Sequence, residues 1–278
     1  MTIQDLTPRA LVEGLRRRLK KSLGQNFLLD ENVTRTIAHE VDSFRPLNIL
    51  EIGPGAGALT LALTALNLPI TVLEKDDHCA EYIQTVFGQV PDFHVIHGDA
   101  LTAELPEFCL NAEKRPILVS NLPYNVASQI YFRFIDADLP LTGMVLMFQR
   151  EVAMRYLAEP KSHDYGALSV VGQYYHHIEL VCEVPPESFY PAPKVTSAVL
   201  RFTPRKRELS GDAEIRFRKL VHAAFSLRRK TLANSLNGFN GWDKAAWSDH
   251  LSHLGYDSNV RAESLSFKEF IRILESLS

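Results

Sequence analysis

The chain has 278 residues, 46% apolar and 23% charged, a composition that excludes a disordered or fibrous protein. No apolar run approaches the roughly 18 residues that span a bilayer, and the Met-Thr-Ile-Gln-Asp start lacks the basic-then-apolar pattern of a secretory signal. Thirty Lys+Arg against 33 Asp+Glu give a net charge of −3, which on its face argues against a polyanionic partner. The distribution says otherwise. Residues 1–30 carry 6 basic and 3 acidic side chains, residues 31–200 carry 10 and 21, and residues 201–231 carry 10 and 3. An acidic body with two separate basic segments points to a polyanion. The three cysteines (Cys79, Cys109, Cys182) contain no C-x-x-C pair, so neither a disulfide framework nor a metal site is expected. A reducing cytoplasm is the expected compartment.

In chain order, Asn48–Gly53 reads as a first strand and Ala56–Leu66 as a helix. Ile70–Glu74, His94–Asp99, Ile117–Ser120 and Met144–Phe148 read as further strands, with helices at Asp77–Phe87, Ala127–Asp136 and Glu151–Leu157. This alternation predicts a parallel sheet covered on both faces. Gly166–Tyr174 reads as another helix. Ile178–Val184 and Thr196–Phe202 are strands joined by a proline-rich loop, and they predict an antiparallel pair on one sheet edge. After Arg205 only helices are expected, at Ala213–Ser226, Lys230–Leu236, Lys244–Leu254 and Phe267–Leu277. A domain boundary is therefore placed at 205, with domains 1–205 (including a basic N-terminal segment, 9–30) and 206–278.

The first strand runs into Glu51-Ile52-Gly53-Pro54-Gly55-Ala56-Gly57. Glycines there allow a tight turn and a close approach to a ligand at the crevice of a doubly wound sheet. The spacing is G-x-G-x-G, not the G-x-G-x-x-G of dinucleotide binders, and alone it is equally a bare strand-to-helix turn. Glu74 ends the second strand, where a carboxylate accepts ribose hydroxyls, and Asp99 ends the third, where one accepts an adenine amino group. Three consecutive strand ends of this kind fit an adenosine cofactor without a diphosphate, with S-adenosylmethionine the candidate.

The fourth strand ends in Asn121-Leu122-Pro123-Tyr124. This tetrapeptide resembles the motif of enzymes that methylate exocyclic amines. The lone pair of such an amine is delocalised into the ring. An Asn oxygen and a backbone carbonyl that accept its two hydrogens localise the lone pair for attack. Tyr124 offers a face for base stacking.

With Lys20-Lys21-Ser22-Leu23-Gly24-Gln25-Asn26-Phe27-Leu28, the loop Phe189-Tyr190-Pro191-Ala192-Pro193-Lys194-Val195-Thr196-Ser197, Arg228-Arg229-Lys230-Thr231-Leu232 and Arg261-Ala262-Glu263, these motifs are similar to those of the KsgA/RsmA family of small-subunit (16S) rRNA adenine N6,N6-dimethyltransferases. The resemblance covers nearly the whole chain. It implies an α/β fold: a Rossmann-like class I methyltransferase sheet, parallel with an antiparallel edge pair, plus a small all-α C-terminal domain that binds RNA. It implies cofactor contacts from Asn26, Leu28, Gly53, Gly55, Glu74, Asp99 and Asn121, with Gln25, Lys75 and Ala100 beside them. It implies that Asn121, Leu122, Pro123, Tyr124 and Phe189 hold the target adenine, Phe189 facing Tyr124 across an extruded base. Arg16, Arg17, Arg18, Lys20, Lys194, Arg228, Arg229 and Lys230 are then the candidates for RNA phosphates. The implied partner is 16S rRNA within the small subunit or its precursor, met by a cytoplasmic monomer with no membrane contact. Two alternatives stay open: a large-subunit rRNA adenine methyltransferase of the macrolide-resistance type, and a non-catalytic ribosome-assembly relative. Leu122, where the resistance type carries Ile, speaks against the first. The complete cofactor motifs speak against the second.

Overall fold

The computed structural model describes residues 3–18, 26–227 and 229–277. They divide into two compact units, one of residues 1–153 with 179–204 and one of residues 154–178 with 205–278.

The first unit opens with helix α1 (Pro8–Arg18), the two-residue strand β1 (Phe27–Leu28) and helix α2 (Glu31–Ser43). The alternating part follows as β2 (Asn48–Ile52), α3 (Ala58–Thr64), β3 (Ile70–Glu74), α4 (Asp77–Phe87), β4 (Phe93–His97), β5 (Pro116–Asn121), α5 (Ala127–Asp136), β6 (Gly143–Gln149) and α6 (Arg150–Leu157). After α7 (Ala167–Tyr175) come β7 (His176–Val184), the short β8 (Phe189–Tyr190) and β9 (Ser197–Pro204). The sheet order is β4-β3-β2-β5-β6-β9-β7. β2 pairs in parallel with β3 and β5, as do β3 with β4 and β5 with β6, while β9 runs antiparallel to β6. The expected class is therefore present: a mostly parallel Rossmann-like sheet with an antiparallel edge.

The sequence explains the layering. β3 (ITVLE) is buried at every position, and β5 is buried at all but its last residue, as strands covered on both faces must be. Val33, Ile37 and Val41 repeat at helical spacing on the buried side of α2. Asp30 caps α2 by accepting from the N–H groups of Asn32 and Val33. The strand order reverses at β2/β5. In open α/β sheets the crevice beyond the strand C-termini at such a switch point is the ligand site.

The second unit is helical: α7 with α8 (Asp212–Ala224), α9 (Leu232–Ser235), α10 (Lys244–His253) and α11 (Phe267–Glu275). It differs from the sequence expectation of a 206–278 domain by recruiting 154–178. The reason is aromatic. Tyr174 of α7 lies 4.6 Å from the Phe217 ring and donates to Glu214 at 3.0 Å. Tyr165 donates to the Leu265 carbonyl at 2.7 Å. These side chains need apolar cover and a polar partner at once, and the C-terminal helices supply both. Among the described residues, no helix is long and apolar enough to cross a membrane.

Candidate active site

A cavity of about 780 Å³ lies beyond the C-terminal ends of β2, β3, β4 and β5, a size suited to a nucleoside-scale ligand. Its floor is the glycine loop. Gly53, Gly55 and Gly57 all take positive φ, at 64°, 56° and 89°, which L side chains rarely adopt. The loop is fixed by bonds from Gly53 N–H to the Leu73 carbonyl (2.9 Å) and from Gly57 N–H to the Pro54 carbonyl (2.8 Å).

Glu74 stands beside that loop, 4% exposed. One carboxylate oxygen accepts the Gly55 N–H at 3.1 Å and the other the Asp76 N–H at 2.9 Å. Burial raises its pKa, and these backbone donors oppose the rise. Each carboxylate oxygen keeps a lone pair beyond its backbone bond, so a diol is an apt partner. Asp99 is more open. Lys75 Nζ donates to its Oδ2 at 2.8 Å and the Leu101 N–H to its Oδ1 at 2.9 Å. The Lys75 hydrogen bond does most to lower the Asp99 pKa and keeps it an anionic acceptor. Arg133 of α5 donates to the carbonyls of Ala100 (3.0 Å) and Ala103 (2.6 Å) and so clamps the loop that carries Asp99.

The Asn121–Tyr124 tetrapeptide forms another wall. The Tyr124 hydroxyl shares a 2.6 Å hydrogen bond with Ser197, which fixes the tilt of the ring. The Leu122 N–H donates to the Met147 carbonyl at 3.3 Å, continuing the β5–β6 ladder past the strand end. Ser120 donates to the Ile52 carbonyl at 2.6 Å and ties β5 to β2 just below.

Of the residues expected from sequence, Asn26, Leu28, Gly53, Gly55, Glu74, Lys75, Asp99, Ala100, Asn121, Leu122, Pro123 and Tyr124 all line this cavity. Phe189, expected at the target base, lies apart from this lining. It is 3% exposed and belongs to the hydrophobic core. β8 pairs antiparallel with β1, Leu28 against Phe189 and Phe27 against Tyr190. Within β8, Phe189 is buried and Tyr190 exposed. Arg16, Lys194, Arg229 and Lys230 are exposed, in keeping with a solvent or phosphate role. Lys20, Gln25 and Arg228 lie outside the described residues, as do the side chains of Arg17 and Arg18.

Sequence reasoning missed Phe27, Glu51, Asp76 and Arg133. Phe27 packs under the glycine loop, where a Cβ on Gly55 would meet its ring at 3.2 Å. Glu51 is 1% exposed, and its Oε2 accepts the Thr60 hydroxyl at 2.7 Å. Burial pushes its pKa up to about 8. Asp76 had a readable signal: it caps α4 by accepting the Cys79 N–H, as an Asp before a helix does.

A glycine loop, a buried acceptor at the β3 end and an Asn-x-Pro-Tyr wall, set at the switch point of this sheet, define a Rossmann-like methyltransferase. The comparisons narrow the class. The sequence matches the Ribosomal RNA adenine dimethylase family over residues 16–278, and the chain belongs to that family. It is 39% identical over 282 residues to Ribosomal RNA small subunit methyltransferase A of Brucella abortus, covering 98% of both chains. A dimethyladenosine transferase of Plasmodium falciparum shares the fold at a TM-score of 0.73 and 22% identity, over 90% of this chain and 96% of that one. The 23S rRNA methyltransferase ErmE aligns at a TM-score of 0.67 and 26% identity, over 91% and 99%.

Proposed function

We propose that the chain transfers methyl groups from S-adenosylmethionine to N6 of two adjacent adenosines in a hairpin near the 3′ end of 16S rRNA. Each base receives two methyls, as a step in small-subunit biogenesis by a cytoplasmic monomer. One observation carries the reading: the Asn121–Tyr124 wall shares a single cavity with the Glu74 acceptor and the positive-φ glycine loop. Those residues suit the cofactor. Buried Glu74 takes a diol, the loop with no Cβ at Gly53, Gly55 and Gly57 admits the body of the ligand, and Asp99 accepts an amine. When bound, S-adenosylmethionine supplies an electrophilic methyl group.

The rest is positioning by the protein. The Asn121 amide oxygen and the Leu122 carbonyl accept the two hydrogens of the target amine, an interaction that strengthens as the nitrogen gains positive charge. Pro123 has no N–H to compete and a fixed φ. Tyr124, held by Ser197, supports the base by stacking. No strong base is required, because an alkylated amine sheds its proton readily once the new bond has formed. The small-subunit reading is favoured over the large-subunit one by Leu122 and by the greater similarity to the Brucella protein than to ErmE.

The test is incubation of labelled cofactor with unmethylated small subunits, followed by mapping of the modified adenosines. Label confined to a pair of neighbouring adenosines near the 3′ end is expected; label elsewhere, or none, overturns the proposal. In the same assay Asn121→Ala should lower transfer at least 100-fold, the scale of losing a donor or acceptor made for the transition state, while RNA binding is retained.

A further inference from the structure

The β1–β8 ribbon places an arginine–tyrosine stack at the edge of the site that the reaction above does not use. Tyr190 pairs in register with Phe27, and both residues of β1, Phe27 and Leu28, line the cavity, so the ribbon borders it. Phe27 is 9% exposed and Tyr190 39%. The Arg16 guanidinium lies over the Tyr190 ring, 4.5 Å from its centroid. Lys194 and Val195, a few residues further along the same loop, are also exposed. An exposed aromatic ring with a planar cation on one face, in a loop that also carries an exposed lysine and an exposed valine, has the composition that single-stranded nucleotides select. Bases stack on it without regard to sequence, and the cations meet the backbone. A membrane surface or an acidic peptide could use the charges, but neither calls for a stacking face beside a nucleoside-sized cavity.

We propose that Tyr190, with Arg16 behind it, is a stacking platform for the nucleotide next to the target adenosine in the RNA. The proposal rests on the function stated above. An adenosine drawn into the cavity must leave its own stack, and its neighbour loses a stacking partner at the same time. Tyr190 replaces that partner just outside the cavity, while Arg16 holds the ring and offsets backbone charge. The platform therefore lowers the cost of extrusion without touching the reacting atoms, which makes Tyr190 a positioning residue.

The test compares Tyr190→Ala, Tyr190→Trp and Arg16→Ala with the wild type on an RNA hairpin carrying two adjacent adenosines. RNA affinity, kcat, KM for RNA and cofactor affinity are measured on the same preparations. A lost base–aromatic stack should weaken RNA binding and raise KM about tenfold in Tyr190→Ala, with kcat and cofactor affinity within twofold. Tyr190→Trp should recover most of the loss, and Arg16→Ala should show a smaller one. RNA affinity within twofold of wild type in Tyr190→Ala, or an equal loss of cofactor affinity, overturns the platform. In the second case Tyr190 merely braces the ribbon. A wild type that modifies neither the hairpin nor small subunits fails the underlying function instead, so the two failures are distinct.

Discussion

Glu51 and Glu74 sit on neighbouring parallel strands and line one cavity, yet their partners set them apart. Glu74 is held by two backbone N–H groups and faces the ligand as an acceptor. Glu51 has the Thr60 hydroxyl as its hydrogen-bond partner, and burial takes its pKa from 4.5 to about 8. It is thus protonated at neutral pH, a neutral acid beneath the glycine loop. The folded protein holds a proton that the unfolded chain releases near pH 4.5. The stability tied to Glu51 is complete below that pH and is lost as pH rises through 8. Between those limits the slope approaches about 1.4 kcal/mol per pH unit for one proton. Glu51→Gln keeps an oxygen for Thr60 and removes the titration. Denaturant unfolding between pH 5 and 9 should therefore lose stability less steeply in Glu51→Gln than in the wild type; parallel curves would contradict the assignment. The residue belongs to the glycine motif, but its burial is not legible in the sequence. That burial comes from α3 folding back over β2, which places Thr60 against Glu51.

At the scale of elements, the alternating strands and helices from Asn48 to Phe148 were legible because each is specified locally. Short apolar runs mark the strands, β2, β3 and β4 run into glycine or an acid, and Asp76 caps α4. α4 and α5 have the bounds that the sequence pattern assigns them. The ribbon of β1 and β8 was not legible. It is two residues long, and its partners are some 160 positions apart, so no periodicity announces it. That ribbon carries Phe189 into the packing around Leu28. α2 is legible in principle from Asp30 and the spacing of Val33, Ile37 and Val41. The junction of the loop with α3 yields a prediction. Gly57 caps α3 at a φ of 89°, and a Cβ there would lie 2.6 Å from the Phe87 ring and 2.8 Å from Ile83. Gly57→Ala must strain the backbone and push α3 off α4 at once. We expect a loss of about 2–4 kcal/mol in denaturant unfolding and a weaker cofactor affinity by calorimetry. A fully stable Gly57→Ala would mean that α3 can shift without disturbing the loop.

For the molecule as a whole, the net charge of −3 conceals the quantity that matters. The stretch 201–231, with 10 basic and 3 acidic side chains, looks like a single basic patch in sequence. The structure divides it. Arg201 is bound to Glu40 at 2.7 Å, Arg207 to Glu214 at 3.1 Å, and Arg205 donates to the His176 carbonyl at 3.2 Å. Carboxylates of the protein itself offset the charges of Arg201 and Arg207, and Arg205 is half-buried. Lys206, Arg216, Lys219, Arg229 and Lys230 remain exposed, and Arg228 adjoins the last two in sequence. Folding therefore concentrates the available positive charge in fewer side chains than the sequence balance suggests. Each exposed cation that neutralises an RNA phosphate on binding releases a counterion and adds roughly 0.7–0.9 to the slope of log affinity against log salt. Removing Arg228 and Arg229 together should lower that slope by about 1.5 and weaken RNA binding most at low salt. Cofactor affinity should be unchanged, because the glycine loop, Glu74 and Asp99 belong to the other compact unit. Titrations of wild type and Arg228→Ala/Arg229→Ala with small-subunit RNA across a salt series give both numbers. An unaltered slope would place the phosphate contacts on other cations, with Arg16 and Lys194 the next pair to remove.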